Sequence, residues 1–217
     1  FMQNIKAVLF DFDYTLGDSS SGIVISVNYA LNKLAYPPAE PQVVCSTIGL
    51  SLPETFLRLT GCHDPLKTAA FAQFFKEKAD EVMVAHTNLY PGVQNLLVSL
   101  RSRQICIGIV STKYHYRINQ ILSHNQISKL FDGIVGAEDV VNPKPDPQGV
   151  LKMMEQFAST PSKTLYVGDS LVDALTAQNA QTLFAAVLSG ATSAEAFQVF
   201  HPLAVMSNLS EILTLLD

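Results

Sequence analysis

The strongest constraint on the fold is the alternation of short apolar runs with longer helical patterns, most regular after residue 90. Because the strand residues are almost all apolar, both faces of the sheet must be covered, which predicts an α/β fold with a doubly wound, Rossmann-like parallel sheet. Short apolar runs predict buried strands at Lys6–Phe10, Ile105–Val110, Gly133–Val135, Thr164–Val167, Leu183–Leu188 and Ala204–Met206. Helical spacing predicts helices over Val93–Ser102, Tyr114–Asn125, Pro147–Phe157, Leu171–Asn179, Ala194–Phe200 and Leu209–Leu215.

Residues 18–88 interrupt this rhythm, because no second strand follows the first one promptly. A Tyr90-Pro91-Gly92 turn then marks the return to the alternating pattern. The sequence therefore predicts a helical domain at 17–88, inserted into a core domain formed by 1–16 and 89–217. Within the insertion, helical spacing covers Ile23–Ala35, Leu52–Thr60 and Leu66–Ala85.

Composition narrows the class of protein. Of the 217 residues, 48% are hydrophobic and 15% are charged, which is typical of a globular chain rather than a disordered one. The net charge of −5, without a basic stripe, argues against a nucleic-acid partner. No apolar stretch reaches the length of a membrane span, about 18 residues. The three scattered cysteines and the lack of a signal-peptide pattern favour a cytoplasmic protein. The sequence leaves open whether it is a monomer or a dimer.

We interpret four polar clusters as each following a predicted strand. In an open parallel sheet, ligands bind outside the carboxyl ends of the strands, so residues from these clusters are expected to converge. The clusters are Asp11-Phe12-Asp13-Tyr14-Thr15-Leu16, Ser111-Thr112-Lys113, Asn142-Pro143-Lys144-Pro145-Asp146-Pro147 and Gly168-Asp169-Ser170-Leu171-Val172-Asp173.

This set of residues suits chemistry at phosphorus. Asp11, the first residue after its strand, is placed to attack a phosphate ester and form an acyl-phosphate that water later cleaves. Asp13 lies two residues further on, so in an extended segment it faces the same cavity and can act as the general acid and base. Lys144 would neutralise the nucleophile and the phosphate, and Ser111 with nearby backbone N–H groups would hold phosphate oxygens.

Carboxylates gathered at one point repel one another unless a cation lies among them. Oxygen ligands with bound water and substrate phosphate suit Mg²⁺. Asp169 and Asp173 would complete the set, and the backbone carbonyl of Asp13 is a further candidate ligand. Asp173 lies four residues after Asp169, within the first helical turn, so it can support the metal from below.

Each residue also has a plainer explanation when it is taken alone. Ser111 and Ser170 are good N-cap residues for the helices that follow them. Lys144 between prolines could be an exposed loop lysine, and Asp173 could be a first-turn acid favoured by the helix dipole. The joint interpretation is preferred because four such coincidences would otherwise be needed at strand ends.

These motifs resemble those of the haloacid-dehalogenase-like hydrolase superfamily, and most closely its phosphoglycolate phosphatase-like branch with a helical cap. The resemblance covers nearly the whole chain through D-F-D-Y-T-L-G-D-S, I-V-S-T-K, N-P-K-P-D-P and V-G-D-S-L-V-D. It implies a Mg²⁺-dependent phosphatase acting on a small phosphorylated metabolite through an aspartyl-phosphate. The implied nucleophile is Asp11, and the implied general acid and base is Asp13. The implied phosphate ligands are Ser111, Thr112 and Lys144. The implied metal ligands are Asp11, Asp13 and Asp169, with Asp173 and Ser170 supporting the metal site.

Three positions depart from the family pattern. Tyr14 stands where the family usually has Gly, Thr112 where Asn is frequent, and Gln181 where Gly commonly ends the last helix of the motif. None of these changes removes a reactive group. We expect the ring of Tyr14 to narrow access at the junction of the core and the cap.

The segment Ser46–Leu52 resembles the I-G-x-x-L loop of such caps, which would read the substrate through Ile48, Gly49 and Leu50. A plain helix–helix turn explains it equally well. Residues 45–52 contain no Arg or Lys, which argues against a phosphosugar mutase. Lys113 is either a positive contact for a small anionic substrate or a solvent-facing lysine at a helix start.

Several rival functions remain. An inorganic pyrophosphatase of the same branch fits the motifs as well, whereas a haloacid dehalogenase would lack the acid at Asp13. A signalling receiver domain also combines a phosphorylated Asp with Ser/Thr and Lys, but it would be about half as long and without a helical insertion. A partner-binding protein with a lost active site has no support, since all the acids are present.

Overall fold

The computed structural model describes residues 5–216, so residues 1–4 and 217 of the predicted core domain lie outside the described residues. Within them the strands are β1 (Ala7–Phe10), β2 (Gly17–Asp18), β3 (Asn88–Leu89), β4 (Cys106–Val110), β5 (Gly133–Val135), β6 (Thr164–Gly168), β7 (Leu183–Val187) and β8 (Ala204–Met206). Six of them form one parallel sheet in the order β5-β4-β1-β6-β7-β8, and β2 pairs with β3 in a separate two-stranded sheet. All six predicted strands are present, and the predicted α/β class is confirmed.

Helices cover both faces of the sheet and form the insertion. They are α1 (Ser20–Lys33), α2 (Pro41–Cys45), α3 (Leu52–Thr60), α4 (Pro65–Val82), α5 (Val93–Ser102), α6 (His115–His124), α7 (Gln148–Gln156), α8 (Leu171–Asn179), α9 (Ala194–Phe197) and α10 (Ile212–Leu215). The last two predicted helices each contain a 3₁₀ turn, at Gln198–Phe200 and Leu209–Glu211. No helix among residues 5–216 has both the length and the apolar character needed to cross a membrane.

Alternate residues of each central strand pack against different helices. Val8 and Phe10 of β1 belong to an apolar cluster with Leu96 of α5. Leu9, between them, belongs to a second cluster with Met153 of α7. This division follows from the two-residue period of a strand, and it explains why the strands are continuously apolar.

The insertion is held together by α1 and α4, which pack along each other. Its aromatic centre is Phe56 of α3 against Phe71 of α4, with ring centroids 5.0 Å apart. Local sequence signals set the helix ends: Ser51 and Glu54 form a capping box at the start of α3, and Asp64 caps α4. The predicted break between α3 and α4 therefore ends at the Asp64 cap of α4.

The short antiparallel strands β2 and β3 pair where the chain enters and leaves the insertion. Gly17 pairs with Leu89, and Asp18 pairs with Asn88. A side chain at Gly17 would place its Cβ 2.8 Å from the carbonyl oxygen of Asn88, so this close approach requires glycine. Neither β2 nor β3 was predicted, because two-residue strands have no pattern of their own.

The left-handed backbone conformation occurs at several non-glycine residues that follow helices. Gln181, which the sequence analysis noted in place of a glycine, has φ +58° after α8. The conformation that favours glycine at a helix C-terminus is thus kept although the glycine itself is absent.

We predict that Gln181→Gly stabilises the fold by about 0.5–1 kcal/mol, since glycine adopts positive φ without a steric penalty. The matched control is Gln120→Gly in the exposed middle of α6, which should destabilise by about 1 kcal/mol. Urea unfolding of both variants measures the two free energies. If both substitutions raise the free energy of unfolding, or both lower it, the argument from backbone conformation is contradicted.

Candidate active site

The register of the sheet brings three motif residues to one edge. Phe10 pairs with Ile109 on β4 and with Val167 on β6. Asp11 is therefore the first residue beyond the carboxyl end of β1. On the neighbouring strands, Ser111 follows the end of β4 and Asp169 follows the end of β6. These are the predicted polar clusters, and the structure brings them together.

Asp11 is almost completely buried at this edge. Its Oδ1 lies 3.0 Å from the Nζ of Lys144, yet has no hydrogen-bond partner among residues 5–216. Burial raises the pKa of Asp11 to about 6, and Lys144 opposes that effect. A buried carboxylate oxygen with an unfilled acceptor position beside a cation is suited to receive an incoming electrophile or a metal ion.

Lys144 is buried at the centre of the site, so its interpretation as an exposed loop lysine is wrong. Its Nζ donates to Oδ1 of Asp173 at 2.6 Å and to the hydroxyl of Tyr166 at 3.1 Å. Burial alone would lower the pKa of Lys144, but Asp11 and Asp173 outweigh it and raise that pKa well above its ordinary value. Lys144 is therefore a fixed positive charge within the site.

Asp173 is both a helix cap and a part of the charged cluster. Its Oδ2 accepts from the backbone N–H of Ser170 at 3.1 Å and from the Ser170 hydroxyl at 2.6 Å. In return the backbone N–H of Asp173 donates to Ser170 Oγ at 3.3 Å, which forms a capping box at the start of α8. Asp173 is therefore a first-turn acid that caps α8, and it also contacts Lys144 within the charged cluster.

Three buried carboxylates meet at one point. Ligand oxygens of Asp11, Asp169 and Asp173 lie within 4.8 Å of one another. Burial, and then the charges of Asp173 and Asp11, raise the pKa of Asp169 to about 9. Oxygen donors with this excess of negative charge fit a hard divalent cation such as Mg²⁺. Both oxygens of Asp173 are engaged by protein donors, which leaves Asp11 and Asp169 as the carboxylates with free positions.

The carboxylate of Asp13 stands outside this group of three. Its two oxygens accept from the Nζ of Lys113 at 2.9 and 3.0 Å. Lys113 is only 7% exposed, so the alternative of a solvent-facing lysine is wrong. Asp13 was predicted to hold a metal through its carboxylate or through its backbone carbonyl. The ion pair with Lys113 occupies the carboxylate and leaves the backbone carbonyl free.

The loop between α2 and α3 lies directly over the motif residues. The hydroxyl of Thr112 donates to the backbone carbonyl of Gly49 at 3.3 Å. Gly49 has φ +97°, and a Cβ at this position would lie 3.6 Å from the hydroxyl of Ser170. Ile48 and Leu50, its neighbours, line clefts on both sides of this contact. The predicted reading loop thus contacts the second motif through Thr112 and leaves little space between Gly49 and Ser170 of the fourth.

Tyr14 has φ +58°, which explains why glycine suits this position. The hydroxyl of Ser189 donates to its backbone carbonyl. Its half-buried ring lines a cleft that also contains Cys45 from the insertion and Asp169 from the core. Burial is the main cause that raises the pKa of the Tyr14 hydroxyl.

Sequence reasoning missed three residues of this site. Thr15 donates from its hydroxyl to Oδ1 of Asp169 at 3.1 Å, and its place within the first motif was the available signal. Tyr166 lies 2.9 Å from the carbonyl oxygen of Val110, and a tyrosine in an otherwise aliphatic strand could have indicated a polar partner. Gly190 had no signal: a Cβ there would lie 1.9 Å from Oδ2 of Asp169.

Comparisons with known proteins agree with this geometry. The haloacid dehalogenase-like hydrolase family matches residues 8–187 of the chain. A crystal structure of a haloacid dehalogenase-like hydrolase from Bacteroides fragilis is 40% identical, with a TM-score of 0.93 over 96% of this chain and 99% of that one. The chain therefore belongs to the haloacid dehalogenase-like hydrolase family, and the predicted resemblance is confirmed.

Two curated relatives carry more specific names. The pyrophosphatase PpaX of Bacillus mycoides is 32% identical over 213 residues, covering 97% of each chain. The phosphoglycolate phosphatase of Salmonella typhi is 28% identical over 233 aligned positions, covering 98% of this chain and 92% of its own. Both relatives are hydrolases of phosphorylated compounds by name, and they differ in the compound.

We predict that the metal-free protein loses stability as pH rises from about 5 to about 8. The raised pKa values of Asp11 and Asp169 mean that the folded state keeps protons which the unfolded chain releases near its ordinary carboxyl pKa. The expected loss is at least about 1 kcal/mol. Chemical denaturation in EDTA at several pH values measures it.

Asp169→Asn should remove most of this pH dependence, whereas Asp64→Asn, at the exposed cap of α4, should retain it. Added Mg²⁺ should raise the free energy of unfolding most at the high-pH end, where the carboxylates are ionised. If the metal-free protein gains stability over the same pH range, the assignment of a buried cluster of carboxylates with excess negative charge is contradicted.

Proposed function

We propose that this protein is a Mg²⁺-dependent phosphatase that hydrolyses small phosphate monoesters, of the phosphoglycolate type, through an aspartyl-phosphate on Asp11. The observation that carries the proposal is the buried Oδ1 of Asp11, which lacks a hydrogen-bond partner among the described residues and lies 3.0 Å from Lys144. A nucleophile needs an accessible lone pair, and a phosphate needs a nearby fixed cation.

The reaction divides into two steps. A carboxylate oxygen of Asp11 forms a bond to phosphorus while the bond from phosphorus to the leaving oxygen breaks, and Asp13 gives that oxygen its proton. Asp13 then takes a proton from water, whose oxygen attacks the phosphoryl group and releases inorganic phosphate and the free Asp11 carboxylate. Lys144 neutralises charge on the transferred group throughout, and Ser111 and Thr112 hold its oxygens.

The metal would be held by the carboxylates of Asp11 and Asp169 with the backbone carbonyl of Asp13. When bound, Mg²⁺ supplies neutralising charge for a phosphoryl group among carboxylates. Asp173 orients Lys144, and Ser170 fixes Asp173 in turn through the capping box. Thr15 restricts the rotation of Asp169.

We further propose that residues 17–88 act as a cap over a core formed by 1–16 and 89–217. The contact from Thr112 to Gly49 supports a cap loop at Ile48–Leu50 that reads the substrate and excludes water. The substrate is then a small phosphorylated metabolite, handled in the cytoplasm without nucleic acid or membrane.

Inorganic pyrophosphatase activity is the second candidate. The 32% identity to the Bacillus mycoides pyrophosphatase favours it, and the same nucleophile and acid would serve that reaction. The leaving group would be phosphate rather than an alkoxide, so the demand on Asp13 as a proton donor is smaller. A phosphosugar mutase remains disfavoured because residues 45–52 lack a cation.

The test is release of inorganic phosphate from phosphoglycolate, sugar phosphates, nucleoside monophosphates and pyrophosphate in the presence of Mg²⁺. Asp11→Asn is expected to lower kcat by at least about 1,000-fold, because the amide cannot act as the nucleophile. EDTA is expected to abolish turnover by the wild-type protein, and excess Mg²⁺ to restore it.

Asp64→Asn is the matched control, since asparagine caps a helix as well as aspartate does and the site lies elsewhere. It should keep full activity. Circular dichroism should report an intact fold for both variants. Full turnover by Asp11→Asn, or turnover indifferent to EDTA, would overturn the proposed mechanism.

The ring of Tyr14 is proposed to narrow the entrance between core and cap. Tyr14→Gly should raise kcat/KM for bulkier esters by about threefold or more relative to phosphoglycolate. Tyr14→Phe, which keeps the ring, is the matched control and should leave that ratio unchanged. Unaltered kcat/KM for every substrate in Tyr14→Gly would refute the role.

A further inference from the structure

The hydroxyl of Tyr166 lies next to the charged cluster but takes part in no step of the proposed reaction. Tyr166 is fully buried in the middle of β6, where it pairs with Leu9 of β1 and Phe184 of β7. Its ring packs in the second apolar cluster, together with Leu9 and Val110. A phenylalanine would fill this position without bringing a polar group into the core, so the hydroxyl requires an explanation.

The hydroxyl of Tyr166 contacts three groups of the site. It lies 2.9 Å from the carbonyl oxygen of Val110 and 3.2 Å from Oδ1 of Asp173. The Nζ of Lys144 donates to it at 3.1 Å. A hydroxyl has one hydrogen and two lone pairs, so it can accept from Lys144 while it donates to one of the two oxygens. Burial raises the pKa of this hydroxyl well above its ordinary value, so the group keeps its proton.

These contacts join residues from three of the four motifs to one strand. The carbonyl of Val110 belongs to the peptide bond that leads into Ser111 of the second motif. Lys144 comes from the third motif, and Asp173 comes from the fourth. Because Tyr166 lies on a central strand of the sheet, its hydroxyl gives these separate segments a common rigid reference.

Lys144 is the residue that most needs such a reference. It lies in the loop before α7 and carries its ammonium on a long, flexible side chain, so its backbone does not fix the charge by itself. The ammonium has three N–H donors. Within residues 5–216, Asp173 accepts one of them at 2.6 Å and Tyr166 accepts another at 3.1 Å. The third is available to the phosphoryl group beside Asp11, whose Oδ1 lies 3.0 Å from Nζ.

We propose that Tyr166 is a positioning residue, whose hydroxyl holds the ammonium of Lys144 beside Asp11 so that it meets the transferred phosphoryl group. The inference rests on the proposed phosphatase function and deepens it. Without the hydroxyl, Asp173 is the remaining hydrogen-bond acceptor of Lys144 in the described part of the chain, and the ammonium shifts toward it. Coulomb attraction falls slowly with distance, whereas a hydrogen bond to a phosphoryl oxygen is lost after a shift of about 1 Å. Substrate binding is therefore largely kept, and turnover is slowed.

A role in stability alone is the rival explanation, because the hydroxyl also satisfies the carbonyl of Val110 in the buried end of β4. A stability role predicts a smaller fraction of folded protein, with unchanged turnover at each active site that remains. A positioning role predicts the full number of active sites, each of which turns over more slowly. Counting the active sites therefore separates the two explanations.

The experiment measures kcat and KM for phosphoglycolate and pyrophosphate in wild type, Tyr166→Phe and Tyr166→Met. Active sites are counted by fluorine NMR of beryllofluoride, which with Mg²⁺ binds a nucleophilic carboxylate such as Asp11 in place of a phosphoryl group. Tyr166→Phe is expected to lower kcat per site roughly 10-fold or more, the value of a hydrogen bond to a charged group, and to change KM by less than about threefold. Each chain should still bind one beryllofluoride, with shifted fluorine resonances because the ammonium of Lys144 has moved.

Tyr36→Phe is the matched control, since it removes a hydroxyl from a ring that packs edge-on against Phe56 within the insertion, and it should change neither kcat nor KM. Thermal unfolding identifies a variant that fails to fold. Tyr166→Met also lacks the hydroxyl but adapts its shape, so it keeps the test open if Tyr166→Phe does not fold. Wild-type kcat per site without the hydroxyl, or a loss confined to the number of sites, would overturn the inference. Absence of phosphate release from every substrate by the wild type would instead overturn the proposed function.

Discussion

The buried ammonium of Lys144 is the interaction on which the rest of the site depends. It lies 2.6 Å from Asp173 and 3.0 Å from Asp11, and it also donates to Tyr166. Removing one partner from such a buried cluster leaves an uncompensated charge, which costs several kcal/mol. One lysine does not balance three clustered carboxylates, and oxygen donors with this remaining negative charge would suit a divalent cation.

The sheet and the helices between β2 and β3 contribute different residues to the site. The parallel sheet delivers the reactive side chains to one edge through its register, which fixes their positions relative to one another. The helical insertion supplies apolar walls and the loop at Gly49 that closes over them. Arg117 of α6 connects the two parts through its contact with Asp80 of α4.

Most of the fold could be predicted from local patterns, because continuous apolar strands and amphipathic helices are properties of neighbouring residues. The β2–β3 pair could not be predicted, since its two-residue strands form only when residues 17–18 and 88–89, which are distant in sequence, come together. Within the site, the strand-end acids were predictable from their position after apolar runs. Tyr166 was not predicted, because its place in a buried strand gave it the pattern of a core residue, although its hydroxyl among aliphatic neighbours was an available signal.

The sequence by itself determined the α/β class, the helical insertion, the family and the set of residues gathered at the sheet edge. Only the tertiary structure decided which charges pair: Lys113 with Asp13, and Lys144 with Asp11 and Asp173. The physical reason is that periodicity reports which way a side chain faces relative to its neighbours in sequence. Ion pairing depends instead on distances of a few ångströms between residues 100 or more positions apart, as for Asp13 and Lys113, and the packing of the whole sheet sets those distances.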